Sequence, residues 1–326
     1  MAPRQTLDGP AFGLMVLLCA LWGFQQVTLK ATAMDIAPIL QIALRSAGAA
    51  LLVGLLMSVR RETLGLASGH WRPGLVVGGL FALEFLLVGE GLRHTTASHM
   101  VIFLYTAPIF AALGLHWKLP SERLKAAQWL GIAVAFAGVV VAFTRPASAA
   151  PSASSLLGDG LGILAGAAWG ATTVVVRCSQ LATSPTTRTL QYQLLGAALW
   201  LSLAALATGQ LTVHFTPVVW GSLAFQVLLV SFASFLIWFS LLRRYLASRL
   251  GVLSFMTPLF GVGFGVWLLD EPLEPNFIVG ALLVLAGIVL VSGYEWLQQR
   301  LSTRRASTSD HASCGLADDK GRAGRL

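Results

Sequence analysis

Two residues of opposite charge, Arg45 and Glu84, stand inside long apolar stretches of the sequence. An arginine can hold a carboxylate through paired hydrogen bonds, and a glutamate can bind an ammonium group or carry a proton. A charge at the centre of a bilayer costs about 2.5–3.5 kcal/mol on insertion scales, so each needs a partner or a water-filled cavity. We predict that the two side chains face each other or a cavity; the alternative is a buried ion pair that only joins two helices.

Aromatic and amide residues accompany these charges at similar depth. With a rise of about 1.5 Å per residue, Arg45 lies about 12 Å below one surface of a hydrocarbon core about 30 Å thick, and Glu84 about 16 Å above the other. The same reckoning places Trp22, Gln26, Tyr105 and Trp169 near the middle of the membrane, with Thr173 somewhat deeper. Aromatic walls with a few polar groups suit an amphipathic metabolite, although a membrane-buried tryptophan can equally serve packing alone.

Composition indicates an integral membrane protein. Charged residues make up 11% of the 326 residues, and the mean hydropathy is +0.75. Ordinary soluble domains are about 25% charged. Although the formal charge is +8, the basic residues lie between apolar stretches and near the C-terminus, without the aromatic interleaving of a nucleic-acid site. We therefore predict a lipid bilayer as partner and no nucleic acid.

Ten segments are long and apolar enough to be predicted as membrane-spanning helices. They cover residues 11–32, 37–59, 73–92, 97–118, 124–144, 158–180, 188–208, 217–242, 248–269 and 276–296. The first segment also resembles a signal peptide ending near Ala31-Thr32-Ala33, but it is long for one and is interrupted by Gln25 and Gln26. If the N-terminus is cytoplasmic, the outer side holds only Lys30, Arg93 and Arg145 of the 22 basic residues. The positive-inside rule thus predicts that both termini are cytoplasmic, in an inner (plasma) membrane.

The two halves of the chain repeat each other. Residues 20–30 (ALWGFQQVTLK) match residues 167–177 (AAWGATTVVVR) at an offset of 147. Ala97, Ser98 and Pro108 match residues 150 positions later, and Glu122, Gly131 and Gly138 match residues 149 positions later. Since five spans per unit is an odd number, the second unit must enter the membrane from the opposite side. We predict an all-α fold of two inverted five-helix repeats around a central cavity.

The order and doubling of these motifs resemble the drug/metabolite transporter superfamily of the EamA type, over residues 11–296. The resemblance rests on Trp-Gly in the first helix of each half, Ala-Ser before Pro108 and Pro258, and Glu122 or Glu271 nine residues before a glycine. It implies that helices one to four and six to nine line the cavity, with the fifth and tenth peripheral. Relatives export amino acids and other metabolites, and distant branches exchange sugar phosphates or nucleotide sugars. This sequence departs from any fixed family pattern at four polar positions, namely Glu84, Glu90, Gln25 and Gln26. The substrate of a relative therefore cannot be assigned to this protein.

The domain boundaries follow from the repeat. We predict a cytoplasmic N-terminus (residues 1–10), a first repeat (11–144), a periplasmic linker (145–157), a second repeat (158–296) and a disordered, basic cytoplasmic tail (297–326). Pro108 and Pro258 fall within the fourth helix of each repeat and are predicted to kink it as hinges. Four carboxylates that open the fifth and tenth helices are interpreted as complements of the helix dipole: Glu122, Asp270, Glu271 and Glu274.

The motifs favour a carrier over an enzyme or a channel. The sequence has no G-x-S-x-G, no H-E-x-x-H, no P-loop and no repeated filter motif, and its cysteines have no metal-ligand spacing. We predict no catalysis, no cofactor and no metal. The predicted function is a secondary transporter that exports amino acids or similar small metabolites by alternating access, with protons as a candidate coupling ion. The alternatives are a sugar-phosphate or nucleotide-sugar exchanger, a channel or an intramembrane enzyme; the sequence leaves the oligomeric state open.

Overall fold

The computed structural model describes residues 7–66, 69–91, 93–95, 100, 103–143, 153–269 and 275–290. Apart from one antiparallel bridge between Ile36 and Val213, these residues form helices, turns and irregular loops. The helices are α1 (Gly9–Ala31), α2 (Pro38–Val59), α3 (Trp71–Gly91), α4 (Ala107–Lys118), α5 (Ala126–Phe143), α6 (Ala153–Cys178), α7 (Thr186–Ala207), α8 (Pro217–Arg244), α9 (Ala247–Ser254 with Met256–Leu269) and α10 (Pro275–Leu290). The predicted linker lies largely, and the predicted tail wholly, outside the described residues.

Seven of these helices are long and apolar enough to cross a membrane, counting described residues alone. They are α1, α2, α3, α6, α7, α8 and α9. The described parts of α4, α5 and α10 are shorter apolar helices. The all-helical membrane fold is thus confirmed, whereas ten complete crossings stay a prediction.

Both α4 and α9 are interrupted shortly before a proline. Tyr105 and Thr106 form a turn ahead of α4, and Phe255 separates the two pieces of α9. Pro108 and Pro258 then lie in the first turn of the following helix rather than in mid-helix. A proline has no N–H to donate to the carbonyl four residues earlier, and its ring crowds that carbonyl, so the helix breaks there. A break at equivalent places agrees with the predicted kinks; a hinge motion stays a prediction.

The Trp-Gly motifs allow two close helix crossings. A Cβ atom added at Gly23 of α1 would lie 2.7 Å from the backbone nitrogen of Gly261 in α9. A Cβ at Gly170 of α6 would lie 2.7 Å from the Cβ of Phe110 in α4. Small residues let membrane helices approach until their backbones touch, which maximises dispersion contacts. Each glycine therefore fixes the distance between a helix of one half and a helix of the other.

Gly23→Val is expected to destabilise the protein by about 1–3 kcal/mol, because overpacking forces α1 and α9 apart. Gly13→Val on the same helix is the matched control, since nothing lies within 4 Å of a Cβ added at Gly13. Thermal unfolding of the detergent-solubilised protein measures both. Equal midpoints for the two variants would show that the α1–α9 crossing tolerates the extra volume.

Small residues also join α5 to α10. A Cβ added at Gly138 would lie 2.6 Å from the carbonyl oxygen of Gly280, and one at Gly287 would clash with the backbone of Gly131 and Ala135. The sequence predicted small faces on these helices, and the structure confirms close packing. The two helices therefore pack directly against each other.

A buried polar network connects the residue that follows α1, Thr32, to α2 and α8. The Thr32 hydroxyl donates to Gln41 Oε1 (3.1 Å), and Gln226 Nε2 donates to the same oxygen (3.0 Å) and to the Ser222 hydroxyl (2.9 Å). Gln41 Nε2 donates to the Ile36 carbonyl (3.0 Å). Lipid offers no hydrogen-bond partners, so polar side chains within a membrane bundle are stabilised by meeting one another. The network fixes the relative rotation of the three helices.

Asp8 ties the start of α1 to the turn between α8 and α9. Its carboxylate accepts a hydrogen bond from the Ala11 backbone N–H (2.8 Å), as an N-cap residue does, and another from the Tyr245 hydroxyl (2.9 Å). These hydrogen bonds, the backbone one foremost, hold the pKa of Asp8 below its ordinary value. The contact anchors the N-terminal end of the first half on the second half.

Glu122 is predicted to complement the dipole of its own helix, but the structure shows a different contact. Its side chain is buried and forms an ion pair with Arg177 at the end of α6. Glu122 also accepts hydrogen bonds from the Ala247 backbone N–H and the Ser248 hydroxyl, both 3.3 Å, so it caps the start of α9. Arg177 in turn donates to the Leu242 carbonyl (3.1 Å). The carboxylate thus joins the first half to α6 and α9 of the second half, and Arg177 extends the contact to α8. Asp270, Glu271 and Glu274 lie outside the described residues.

Candidate functional site

A cavity between the two halves holds most of the residues selected from the sequence. Its volume is about 110 Å³, below the ~300–1,000 Å³ of pockets for drug-sized ligands, so it suits a small metabolite. Side chains of α1, α2, α3, α6, α7 and α8 and of the turn before α4 surround it. They are Trp22, Gln25, Gln26, Arg45, Phe81, Glu84, Phe85, Leu104, Tyr105, Trp169, Gln193, Phe235, Trp238 and Phe239.

Arg45 is the cation of this cavity. Only 1% of its surface is exposed, and its Nε and Nη1 atoms have no hydrogen-bond partner. The guanidinium carbon lies 5.2 Å from the ring centre of Phe85, a cation–π distance. A ring face stabilises the charge but accepts no conventional hydrogen bond, so the planar fork keeps free donors for a carboxylate.

Glu84 is the anion of the same cavity, and 7% of its surface is exposed. It attracts Arg45 electrostatically, yet in the part of the chain that the structure describes no ion pair within 4.0 Å joins the two. Buried charges normally pair directly, because isolated ones lose their hydration. The open arrangement leaves room between an anion-binding and a cation-binding group.

Aromatic side chains form most of the remaining wall. Trp22 packs edge-to-face against Trp238 with ring centres 5.6 Å apart, and its Nε1 donates to the Ser234 hydroxyl at 2.9 Å. Tyr105 packs edge-to-face against Trp169, also at 5.6 Å. Edge-to-face contacts and the indole hydrogen bond hold the rings in one orientation, so the apolar wall is preformed.

The structure brings together six of the seven residues selected from the sequence as cavity-lining. Trp22, Gln26, Arg45, Glu84, Tyr105 and Trp169 line the cavity. Thr173 does not: it lines a separate small void with Pro108 and Ser254, and its hydroxyl donates to the Trp169 carbonyl at 3.4 Å. It lies one helical turn beyond Trp169, which puts it past the end of the cavity.

The second half contributes wall residues that the sequence reasoning missed. Gln193, Phe235, Trp238 and Phe239 all line the cavity. A signal for Gln193 existed: residues 48–51 and 196–199 both read GAAL, at an offset of 148, so Gln193 occupies the position equivalent to Arg45. Phe85-Leu86 likewise matches Phe235-Leu236 at an offset of 150, which pairs Glu84 with Ser234.

A cluster of titratable groups at the end of α3 lies away from this cavity. Arg93 and His94 bond to Glu90 at the end of α3, where the Arg93 side chain is 70% exposed, as expected of a solvated rim. His99 lies outside the described residues. Among the residues that the structure does describe, no group of three or more His, Cys, Asp or Glu side chains could hold a metal ion.

Comparison with known proteins identifies the family. The model of the EamA-like transporter family matches residues 10–144 and, a second time, residues 156–293. The chain belongs to this family. This EamA-like transporter is 24% identical over 277 residues to the uncharacterized transporter YoaV of Bacillus subtilis, covering 85% of this chain and 94% of that protein. It is 26% identical over 288 residues to a probable amino-acid metabolite efflux pump of Salmonella typhimurium, covering 85% and 93%.

A solved crystal structure shares the fold of this EamA-like transporter. The two superpose with a TM-score of 0.74 at 20% sequence identity, over 86% of this chain and 97% of the other. At that identity the likeness concerns the fold alone. Together with the family match, it establishes a multi-pass membrane protein of a transporter family.

Proposed function

We propose that this chain is a secondary carrier that exports amino acids or similar small metabolites across the inner membrane by alternating access. One observation carries the proposal: a small cavity between the two halves holds Arg45, with unpartnered guanidinium donors, and Glu84, with no direct ion pair between them. A zwitterionic ligand supplies both missing partners. Binding it offsets the cost of keeping two charges buried.

The packing supports two inverted repeats of five helices, and the distribution of basic residues supports termini on the cytoplasmic side. Contacts between the halves occur in reciprocal pairs: α1 packs on α8 and α9, as α6 packs on α3 and α4. Gly23 meets Phe260 and Gly261, whereas Gly170 meets Phe110 and Ala111, the residues 150 positions earlier. Repeats related by an axis in the membrane plane give inward-open and outward-open states of similar energy, which suits a carrier.

The names of relatives support an amino-acid-like substrate. Probable amino-acid metabolite efflux pumps of Salmonella typhimurium and Escherichia coli match this chain at 26% and 25% identity. The chain covers 93% and 95% of their lengths. The charged residues that line the cavity, Arg45 and Glu84, carry no net charge together, which suits a zwitterion better than a phosphate ester.

Counterflow in proteoliposomes tests the proposed function. Vesicles preloaded with an unlabelled amino acid mixture should accumulate labelled amino acid transiently, with saturable rates. Conductance without saturation would indicate a channel, and no exchange of amino acids or other metabolites would contradict a carrier.

Glu84→Gln tests proton coupling. If Glu84 carries the proton, the variant should lose uptake driven by a pH gradient while retaining counterflow, because the amide keeps the shape but cannot ionise. Glu90→Gln is the matched control, since the Glu90 side chain is 49% exposed at the end of the same helix. Unchanged pH dependence in Glu84→Gln would reject the proton-carrying role.

A further inference from the structure

The central cavity is asymmetric in charge. The first half supplies Arg45 and Glu84, whereas the equivalent positions of the second half hold Gln193 and Ser234. Ser234 is engaged, because it accepts the indole N–H of Trp22 and donates to the Val230 carbonyl. Gln193 is not: its Oε1 atom is buried without a hydrogen-bond partner, and only 6% of the residue is exposed.

An unsatisfied amide oxygen inside a membrane protein costs free energy. Because Gln193 lines the cavity, a ligand bound there can relieve that cost by donating a hydrogen bond to the amide oxygen. Arg45 lacks the opposite kind of partner, because its Nε and Nη1 donors have no hydrogen-bond acceptor. A ligand that lies between them must present an acceptor to Arg45 and an N–H or O–H donor to Gln193. Because an ammonium group has three N–H bonds, Glu84 and Gln193 can both accept from the same one.

We propose that Gln193 is a specificity-determining residue, which accepts a hydrogen bond from an N–H or O–H group of a ligand whose carboxylate binds Arg45. The inference rests on the proposed carrier function and narrows its substrates to small monocarboxylates with a neighbouring donor, such as α-amino and α-hydroxy acids. A dianionic phosphate ester is excluded, because the described residues of the second half that line the cavity include no further cation and Glu84 repels the additional charge.

The test measures binding of four probes that share one branched apolar tail, by quenching of cavity tryptophan fluorescence. The probes are L-leucine, 2-hydroxy-4-methylpentanoate, 4-methylpentanoate and 3-methylbutyl phosphate. Wild-type protein should bind the first two more tightly than the third, and should not bind the fourth measurably. Gln193→Met should weaken the first two about tenfold and leave the third unchanged, since one hydrogen bond to the ligand is lost.

Two further variants keep the test decisive. Gln191→Met is the matched control: Gln191 lies on the same helix with an equally unpartnered buried Oε1, but it does not line the cavity, and its amide lies near Gly54 of α2. It should leave all four affinities unchanged. Gln193→Arg adds a cation and should gain binding of the phosphate ester.

Equal weakening of all three carboxylates in Gln193→Met, or binding of the phosphate ester by the wild type, would overturn the proposal. So would a wild-type protein that binds none of the carboxylates. Counterflow of another metabolite in the same preparation would then leave the carrier function standing, whereas absence of any counterflow would count against the carrier itself.

Discussion

Glu122→Ala is expected to lower the free energy of unfolding by about 3–5 kcal/mol. The substitution leaves the buried Arg177 guanidinium without its carboxylate, and an uncompensated buried charge costs far more than the pair contributes. It also removes the acceptor for the Ala247 N–H and the Ser248 hydroxyl at the start of α9. Thermal or SDS-induced unfolding of the purified protein measures the loss.

Two variants define the cause of that loss. Arg93→Ala breaks the ion pair with Glu90, whose side chains are 70% and 49% exposed, and should leave the midpoint unchanged because exposed pairs contribute little. The double variant Glu122→Leu/Arg177→Met should recover much of the stability, since replacing both charges removes the desolvation cost. A double variant as unstable as Glu122→Ala would refute the buried-charge explanation.

Arg45→Lys should weaken binding of carboxylate ligands by about tenfold or more while changing binding of the corresponding neutral amides little. Lysine keeps the charge but lacks the planar guanidinium, which packs on the Phe85 ring and has the geometry to donate two parallel hydrogen bonds to a carboxylate. Competition assays in proteoliposomes, with each carboxylate compared with its amide, measure the difference.

Arg244→Lys is the control for Arg45→Lys, because Arg244 is exposed at the end of α8 and lies outside the cavity wall. It should leave carboxylates and amides unaffected. If Arg45→Lys weakens binding of carboxylates and amides equally, Arg45 has a structural role in the bundle and does not bind the ligand carboxylate.

The sequence located the helices well because a membrane span needs about 20 apolar residues in a row, a signal that survives without any tertiary information. The second predicted span, residues 37–59, is observed as Pro38–Val59, and the predicted span 217–242 as Pro217–Arg244. The depth in the membrane calculated from helix rise also placed Arg45 and Glu84 at nearly the same level, since the rise per residue of a helix is constant. Both side chains line the same cavity.

Which face of each helix meets the cavity was harder to predict. In α2, Leu51 is 77% exposed and Val53 is fully buried, although both are aliphatic. Because lipid is as apolar as a packed interior, hydrophobicity does not distinguish the two environments. Phe235, Trp238 and Phe239 were missed for this reason, whereas the polar residue Gln193 had a signal in the repeat at an offset of 148. Thr173 lines a neighbouring void instead of the cavity.

The amino-acid sequence by itself determined the apolar segments and the rarity of charged residues within them, because each is a property of a single segment. It also determined the doubled motifs, because these recur at a nearly fixed offset between two segments. Only the tertiary structure decided that Glu122 meets Arg177 and Ser248, and that Arg45 and Gln193 line one cavity. These residues lie more than 50 positions apart in the sequence. Their contacts depend on how each helix is rotated, and close packing of small residues sets that rotation. No local sequence pattern encodes it.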